Sequence, residues 1–385
     1  MNILIHDGRR VGHLKWATNA VEEGVAQGII ISPFSTPRVS EPRKPSGRVL
    51  AEKIRDLKGE VIFDAMTHAR MLHSTNKLDC YDTWELWRDQ HSLISTPDQI
   101  HHLERVFSAQ QGLDTPLLTP SVLLKDANGP EADKALSMGY IGRGMSSDVW
   151  QSLAGTASFW ASEESLDQYI GQLVALRSTT WVLTCVIPDN SNDPELIRAA
   201  QLGFYRTVSS LSVRSRVIVS HADFDGLPSI AAGATTLGTG WDKSMRSFDP
   251  LSFVRNDDGS VRIPASYVTQ ANLLTVMRRD TAEAINTYNA ELAGTIRGGK
   301  MPLSDQEERT HHLRTLHSIV DSIKLEATPQ SRLQNLLSRY EKAIGYFDTL
   351  AGKLGSRMFS DSSKNENLLY PYQRTQEFGR SEGLI

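Results

Sequence analysis

Residues 220–242 read SHADFDGLPSIAAGATTLGTGWD, directly after the β-branched run RVIV at 216–219. The run is a strand signal, and LPSIAAGA has the composition of a short helix. TTLGTG then reads as a second strand. Strand, loop, helix, strand within about 25 residues is one turn of an alternating α/β repeat.

Working outward, the same unit recurs. NILIHD (2–7), GIIISPF (28–34), EVIFDAMTHA (60–69), LLTPSVLL (117–124), SLAGTASFWAS (152–162) and TWVLTCVIP (180–188) read as strands. Helical patterns lie between them: roughly 15–27, VLAEKIRDLK, 97–111, 131–150, LDQYIGQLVAL behind a SEES cap, and DPELIRAAQLGFYRTVSS. With 216–222 and 235–240, eight strand–helix units fill about 240 residues, the arithmetic of a (β/α)8 TIM barrel. The rival is an open doubly wound sheet, which favours a glycine fingerprint after its first strand; HDGRRVGH (6–13) is not one. The barrel is therefore expected over 1–250.

A C-terminal helical region is expected at 251–355, with helices near 265–293, 304–325 and 328–354. The polar stretch 356–385 reads as a surface arm or a disordered tail.

The bulk numbers set limits. The 385 residues carry a net charge of −4 and are 39% hydrophobic, enough for a sizeable core without a general pull toward nucleic acid or anionic membranes. Two cysteines make neither a disulfide framework nor a four-cysteine zinc site. Cys185 lies mid-strand, where burial is expected, and Cys80 sits among acids that raise a thiol pKa. MNILIHDG lacks the basic and apolar segments of a signal peptide, and no run of apolar residues is long enough to span a bilayer. A cytoplasmic protein without membrane contact is the expectation.

In such a barrel the chemistry sits at the carboxyl ends of the strands. Asp7, Asp64, His68, His221, Asp223 and Asp225 are the catalytic candidates there. Strand alternation would put Asp64 on one face with His68, and His221 with Asp223. Histidine and aspartate suit acid–base work near neutral pH or ligation of a divalent metal, with His68, His221 and Asp223 as the ligand set. Trp84, Trp87, Trp160 and Trp241 are candidate walls of a substrate pocket, although packing would equally use the first two.

The opening stretch resembles the phosphate-binding end of many (β/α)8 enzymes, built from the loops after strands seven and eight. That resemblance implies a cradle at Gly238, Thr239 and Gly240 with charge from Lys243 and Arg246, and a phosphorylated or nucleotide-like small molecule as ligand. The order of elements is also loosely similar to the tRNA-guanine transglycosylase superfamily, which exchanges a base with a nucleophilic aspartate and would act on nucleic acid. Those enzymes carry a structural zinc on three cysteines and a histidine, which two cysteines cannot supply, and no residue carries over. A third reading is a non-catalytic scaffold whose C-terminal helices bind a protein partner.

Overall fold

The computed structural model describes residues 2–8, 12–42, 44–72, 80–87, 92–186, 193–250 and 266–385; at 243 and 244 it describes the backbone alone. The chain divides into two compact units, one of residues 1–223 with 233–255, the other of 224–232 with 256–385.

The first unit is a (β/α)8 barrel. Its strands are β1 (Ile3–His6), β2 (Gly28–Ile31), β3 (Glu60–Phe63), β4 (Leu123–Leu124), β5 (Gln151–Thr156), β6 (Thr180–Val186), β7 (Arg216–Ser220) and β8 (Thr236–Gly240). The order is β3-β2-β1-β8-β7-β6-β5-β4, and every neighbouring pair is parallel. Pairing of β1 with β8 joins the ends of the sequence order and curls the sheet. The connecting helices are α1 (His13–Glu22), α2 (Gly47–Asp56), α3 (Thr96–Gly112), α4 (Pro130–Met145), the short α5 (Ala157–Trp160), α6 (Glu163–Ala175) and α7 (Pro194–Ser212). Ser46 caps α2, Ser95 and Asp98 form a capping box on α3, and Asp193 caps α7 ahead of its proline.

Among the described residues no ladder joins β3 to β4, and side chains sew that seam instead. The buried Gln110 amide donates to the Phe63 carbonyl (3.2 Å) and the Leu118 carbonyl (2.9 Å), while its Oε1 accepts the Leu118 N–H (3.0 Å). Thr67 Oγ1 donates to the Ser121 carbonyl at 2.6 Å. The expected long fourth strand, 117–124, is reduced to two residues plus a single bridge from Leu118 to Trp150. Pro116 and Pro120 lack the N–H that a continuous ladder needs.

The barrel interior is layered. Leu4, Ile30, Ile62, Leu118, Val182 and Ile218 pack as one cluster with Trp150 at its side. Two residues back along the strands, Arg216 forms a bidentate ion pair with Glu60 (2.5 and 2.8 Å) that closes the amino end. Two residues forward, alternation brings His6, Ser32, Asp64, Thr184 and Ser220, all buried. The carboxyl end of the interior is therefore polar on five strands.

The remaining helices are α8 (Leu227–Ala231), which belongs to the second unit, and α9 (Lys243–Arg246) after β8. The second unit continues with an antiparallel hairpin, β9 (Tyr267–Gln270) and β10 (Thr275–Arg278), where a helix from 265 was expected; the β-branched, aromatic SYVTQ and TVM favour strand. Then follow α10 (Arg279–Tyr288), α11 (Ala290–Arg297), α12 (Asp305–Lys324) and α13 (Pro329–Leu354). Buried Arg297 pairs with Glu308 at 2.6 Å and donates to the Thr269 carbonyl at 3.0 Å, fastening the hairpin to α11 and α12. The expected polar tail is instead α14 (Asp361–Lys364), one π-helical turn and α15 (Tyr370–Ser381), held by buried Leu368 and Phe378. No helix among the described residues is long and apolar enough to cross a membrane. Cys80 is buried, whereas Cys185, expected to be buried, is partly exposed.

Candidate active site at the carboxyl end of the barrel

The strands end earlier than strand alternation assumed, and that rearranges the site. Asp64 follows β3, and its Oδ1 accepts the Met66 N–H at 2.9 Å; Met66 takes a left-handed backbone (φ 44°) and the chain turns into Thr67–Met71. His221 likewise has φ 53° one residue after β7. Non-glycine residues seldom hold this conformation, and here two lie at strand ends in the polar layer. His68 therefore reaches the interior from a helical turn and not by sharing a strand face with Asp64.

Three imidazoles gather there. His6 and His221 stack with centroids 4.0 Å apart, and His68 and His221 both lean on Phe248, at 4.8 and 5.3 Å. His6 Nε2 accepts the His221 N–H at 3.1 Å, and Ser220 Oγ lies 3.1 Å away. His68 Nδ1 lies 2.6 Å from Ser121 Oγ. Burial holds all three well below the usual histidine range, His68 and His221 at about 3, so they are neutral at neutral pH. Asp64 is pushed up to about 6 by burial, against the pull of the Met66 N–H.

The expected ligand set His68, His221 and Asp223 is not assembled. His221 stacks on His6, and Asp223 faces Arg246 at 3.6 Å. Among the described residues no group of three or more His, Cys, Asp or Glu side chains is disposed to hold a metal. Asp225 is exposed in the turn Phe224–Gly226, which belongs to the second unit.

Gly238, Thr239 and Gly240 form no turn; they are the buried last three residues of β8. A Cβ on Gly238 would meet His6 Nε2 and Ile30 Cδ1 at 2.9 Å, so this glycine makes room for the His6 ring. One on Gly240 would meet Met245 Cβ at 2.2 Å, so this glycine admits α9. Arg246 is engaged with the Gly240 carbonyl (2.9 Å), the Trp241 carbonyl (3.4 Å) and Asp223. The Lys243 side chain lies outside the described residues.

Of the tryptophans, three are packing. Trp84 donates to the Thr36 carbonyl (2.9 Å), Trp87 to Tyr81 Oη (3.1 Å) and Trp160 to the Gly155 carbonyl (2.8 Å), all from buried positions. Trp241 is partly exposed and meets Trp16 edge-on at 4.6 Å, with His13 beyond at 6.1 Å.

Of that aromatic group, His13 reaches the open part of the site. Asp7, after β1, and His13, opening α1, line a cavity of about 440 Å³ that extends over the residues following β2 to Ser35 and Pro37. His13 Nε2 stands 3.4 Å from Asp7 Oδ1, an ion-pair contact without hydrogen-bond alignment. Thr36 Oγ1 donates to the other Asp7 oxygen. Burial raises the Asp7 pKa and lowers that of His13, while their mutual attraction acts against both shifts. Burial thus sets the two titration ranges closer together than they lie in water. Residue-type reasoning singled out Asp7 and overlooked His13. Its signal was a histidine at the start of a helical pattern just past a strand-end Asp-Gly.

No family model matches this sequence, and no curated protein does so. Among solved structures it is similar to a xylose isomerase-like TIM barrel/4-hydroxyphenylpyruvate dioxygenase fusion protein, at 13% identity and TM-score 0.34, over 91% of this chain and 44% of that one. It is also similar to a probable tagatose 6 phosphate kinase from Sinorhizobium meliloti 1021, at 10% identity and TM-score 0.36, over 100% and 99% of the two chains. The chain spans less than half the length of the fusion protein, and neither likeness bears on the chemistry.

Proposed function

We propose that this chain is a (β/α)8 enzyme that performs acid–base chemistry on a small phosphorylated or nucleotide-like molecule, bound in the cavity at the carboxyl ends of β1 and β2. The observation that carries this reading is the Asp7–His13 pair. It is buried, coupled, steadied by Thr36 and placed on the wall of the cavity of about 440 Å³. A carboxylate beside an imidazole steadies its protonated form, so His13 takes a proton from the substrate with Asp7 as its counter-ion. The neutral imidazoles and Asp64 form a buried polar layer inside the barrel and do not line this cavity. With pKa values near 3, His68 and His221 are poor bases at neutral pH.

The test is a panel of phosphorylated small molecules and nucleotides incubated with the parent protein, Asp7→Asn and His13→Gln, with products followed by mass spectrometry. Turnover by the parent and a loss of about 10²–10⁴ in kcat/KM in both variants are expected, with circular dichroism unchanged. Variants as active as the parent would remove Asp7 and His13 from the reaction.

A further inference from the structure

We infer that the same cavity holds a binding site for the phosphate dianion of the substrate at the N-terminus of α1, after β1 and not in the loops after strands seven and eight. The inference rests on the acid–base reading for its location and adds the group by which the substrate is held.

Gly12 is the N-cap of α1, in a left-handed backbone (φ 89°) and with no side-chain cap. The Trp16 N–H bonds to the Gly12 carbonyl, which leaves the N–H groups of His13, Leu14 and Lys15 without an acceptor among the described residues. Gly12, His13, Leu14 and Lys15 all line the cavity, so the open first turn faces it. Such a turn offers several N–H donors and the positive end of the helix dipole to an anion.

A second observation is independent of the helix. Ser35, from the segment after β2, lines the same cavity at 4% exposure, and its Oγ has no hydrogen-bond partner among the described residues. A buried hydroxyl without a partner costs free energy that a ligand oxygen would recover.

Charge fits a dianion. Lys15 and Lys53 line the cavity and form no ion pair among the described residues; Lys44 lines it too but is shared with Glu41 at 3.6 Å. Asp7 is the acidic group on the wall, and its carboxylate is already engaged by Thr36 and His13. Two unshared ammonium groups and an open helix turn suit two negative charges better than one.

The probe is inorganic phosphate, titrated calorimetrically into the parent protein, Lys15→Ala, Lys53→Ala, the double variant and Ser35→Ala, each checked for an unchanged melting temperature. Saturable binding to the parent is expected, weakened about tenfold by each lysine replacement and further in the double variant. Acetate should compete poorly and sulfate well. Absence of saturable binding, binding untouched in the double variant, or acetate competing as well as sulfate each overturns the site. Asp7→Asn separates the two readings: it should retain or tighten phosphate binding while turnover disappears. Failure of phosphate to bind, with turnover still lost in Asp7→Asn, sinks the anion site and leaves the acid–base reading in place.

Discussion

The His221 N–H donates to His6 Nε2 at 3.1 Å while the two imidazoles stack 4.0 Å apart. A nitrogen that accepts a backbone N–H carries no proton, so neutral His6 holds its proton on Nδ1. The bond also ties the left-handed backbone at His221 to the end of β1, across β8. It exists only because Gly238 stands between them without a side chain.

Replacing Gly238 with alanine should therefore displace His6. The added Cβ would lie 2.9 Å from His6 Nε2 and from Ile30 Cδ1, inside a packed barrel with no flexible surface to yield. A loss of about 1–3 kcal/mol in denaturant unfolding is expected, with a changed His6 imidazole resonance in NMR spectra. Unaltered stability and resonance would show that the layer is loosely packed.

Asp64 makes stability fall as pH rises. Its folded pKa of about 6 exceeds the ordinary aspartate value of 3.8, so its favourable contribution is complete below about pH 4 and lost as pH climbs through 6. Asparagine keeps the acceptor for the Met66 N–H and never ionises. At pH 8 Asp64→Asn should exceed the parent in stability by up to about 3 kcal/mol, the gap closing near pH 4. Urea unfolding at the two pH values measures it, and a gap independent of pH would contradict the burial argument.

His68 and His221 act in the opposite sense. Each has a folded pKa of about 3 against 6.5, so each favours the fold above pH 6.5 and withdraws that support as the solution is acidified toward 3. Each contributes about 1.4 kcal/mol of lost stability per pH unit in that window, and between pH 4 and 6 Asp64 offsets one of the two. His68→Asn should flatten the acid limb by about one proton. An identical slope in parent and variant would place the ring in water.

Gln110 carries the β3–β4 seam. Gln110→Ala strands the Leu118 N–H and two carbonyls in a dry site and leaves a void, for an expected cost of about 3 kcal/mol. Gln110→Glu should be no better at pH 8, because it sets a carboxylate against the Phe63 and Leu118 carbonyls. Thermal and urea unfolding of both variants decide this; near-parent stability in the glutamate variant would mean that the seam is wet.

The sequence by itself determined the eightfold strand–helix repeat, because short, near-continuous apolar runs between helical patterns reflect local backbone preferences and a buried parallel sheet. It also placed polar residues at the strand ends: NILIHD, EVIFD and RVIVSH each turn from apolar to polar where the barrel interior does. Which of those polar groups meet was decided by tertiary structure. Met66 and His221 leave the strand early in left-handed conformations, which breaks the alternation that would have aligned Asp64 with His68 and His221 with Asp223. The GTG stretch was spent on packing around His6 and α9, and Arg246 on carbonyls and Asp223. The Asp7–His13 pair needs Thr36 from the next connection, 29 residues away from Asp7, and a cavity shaped by α1 and the residues after β2. Long-range proximity of that kind leaves no periodic mark in a chain. It arises only when the sheet curls and brings successive strand ends around one mouth.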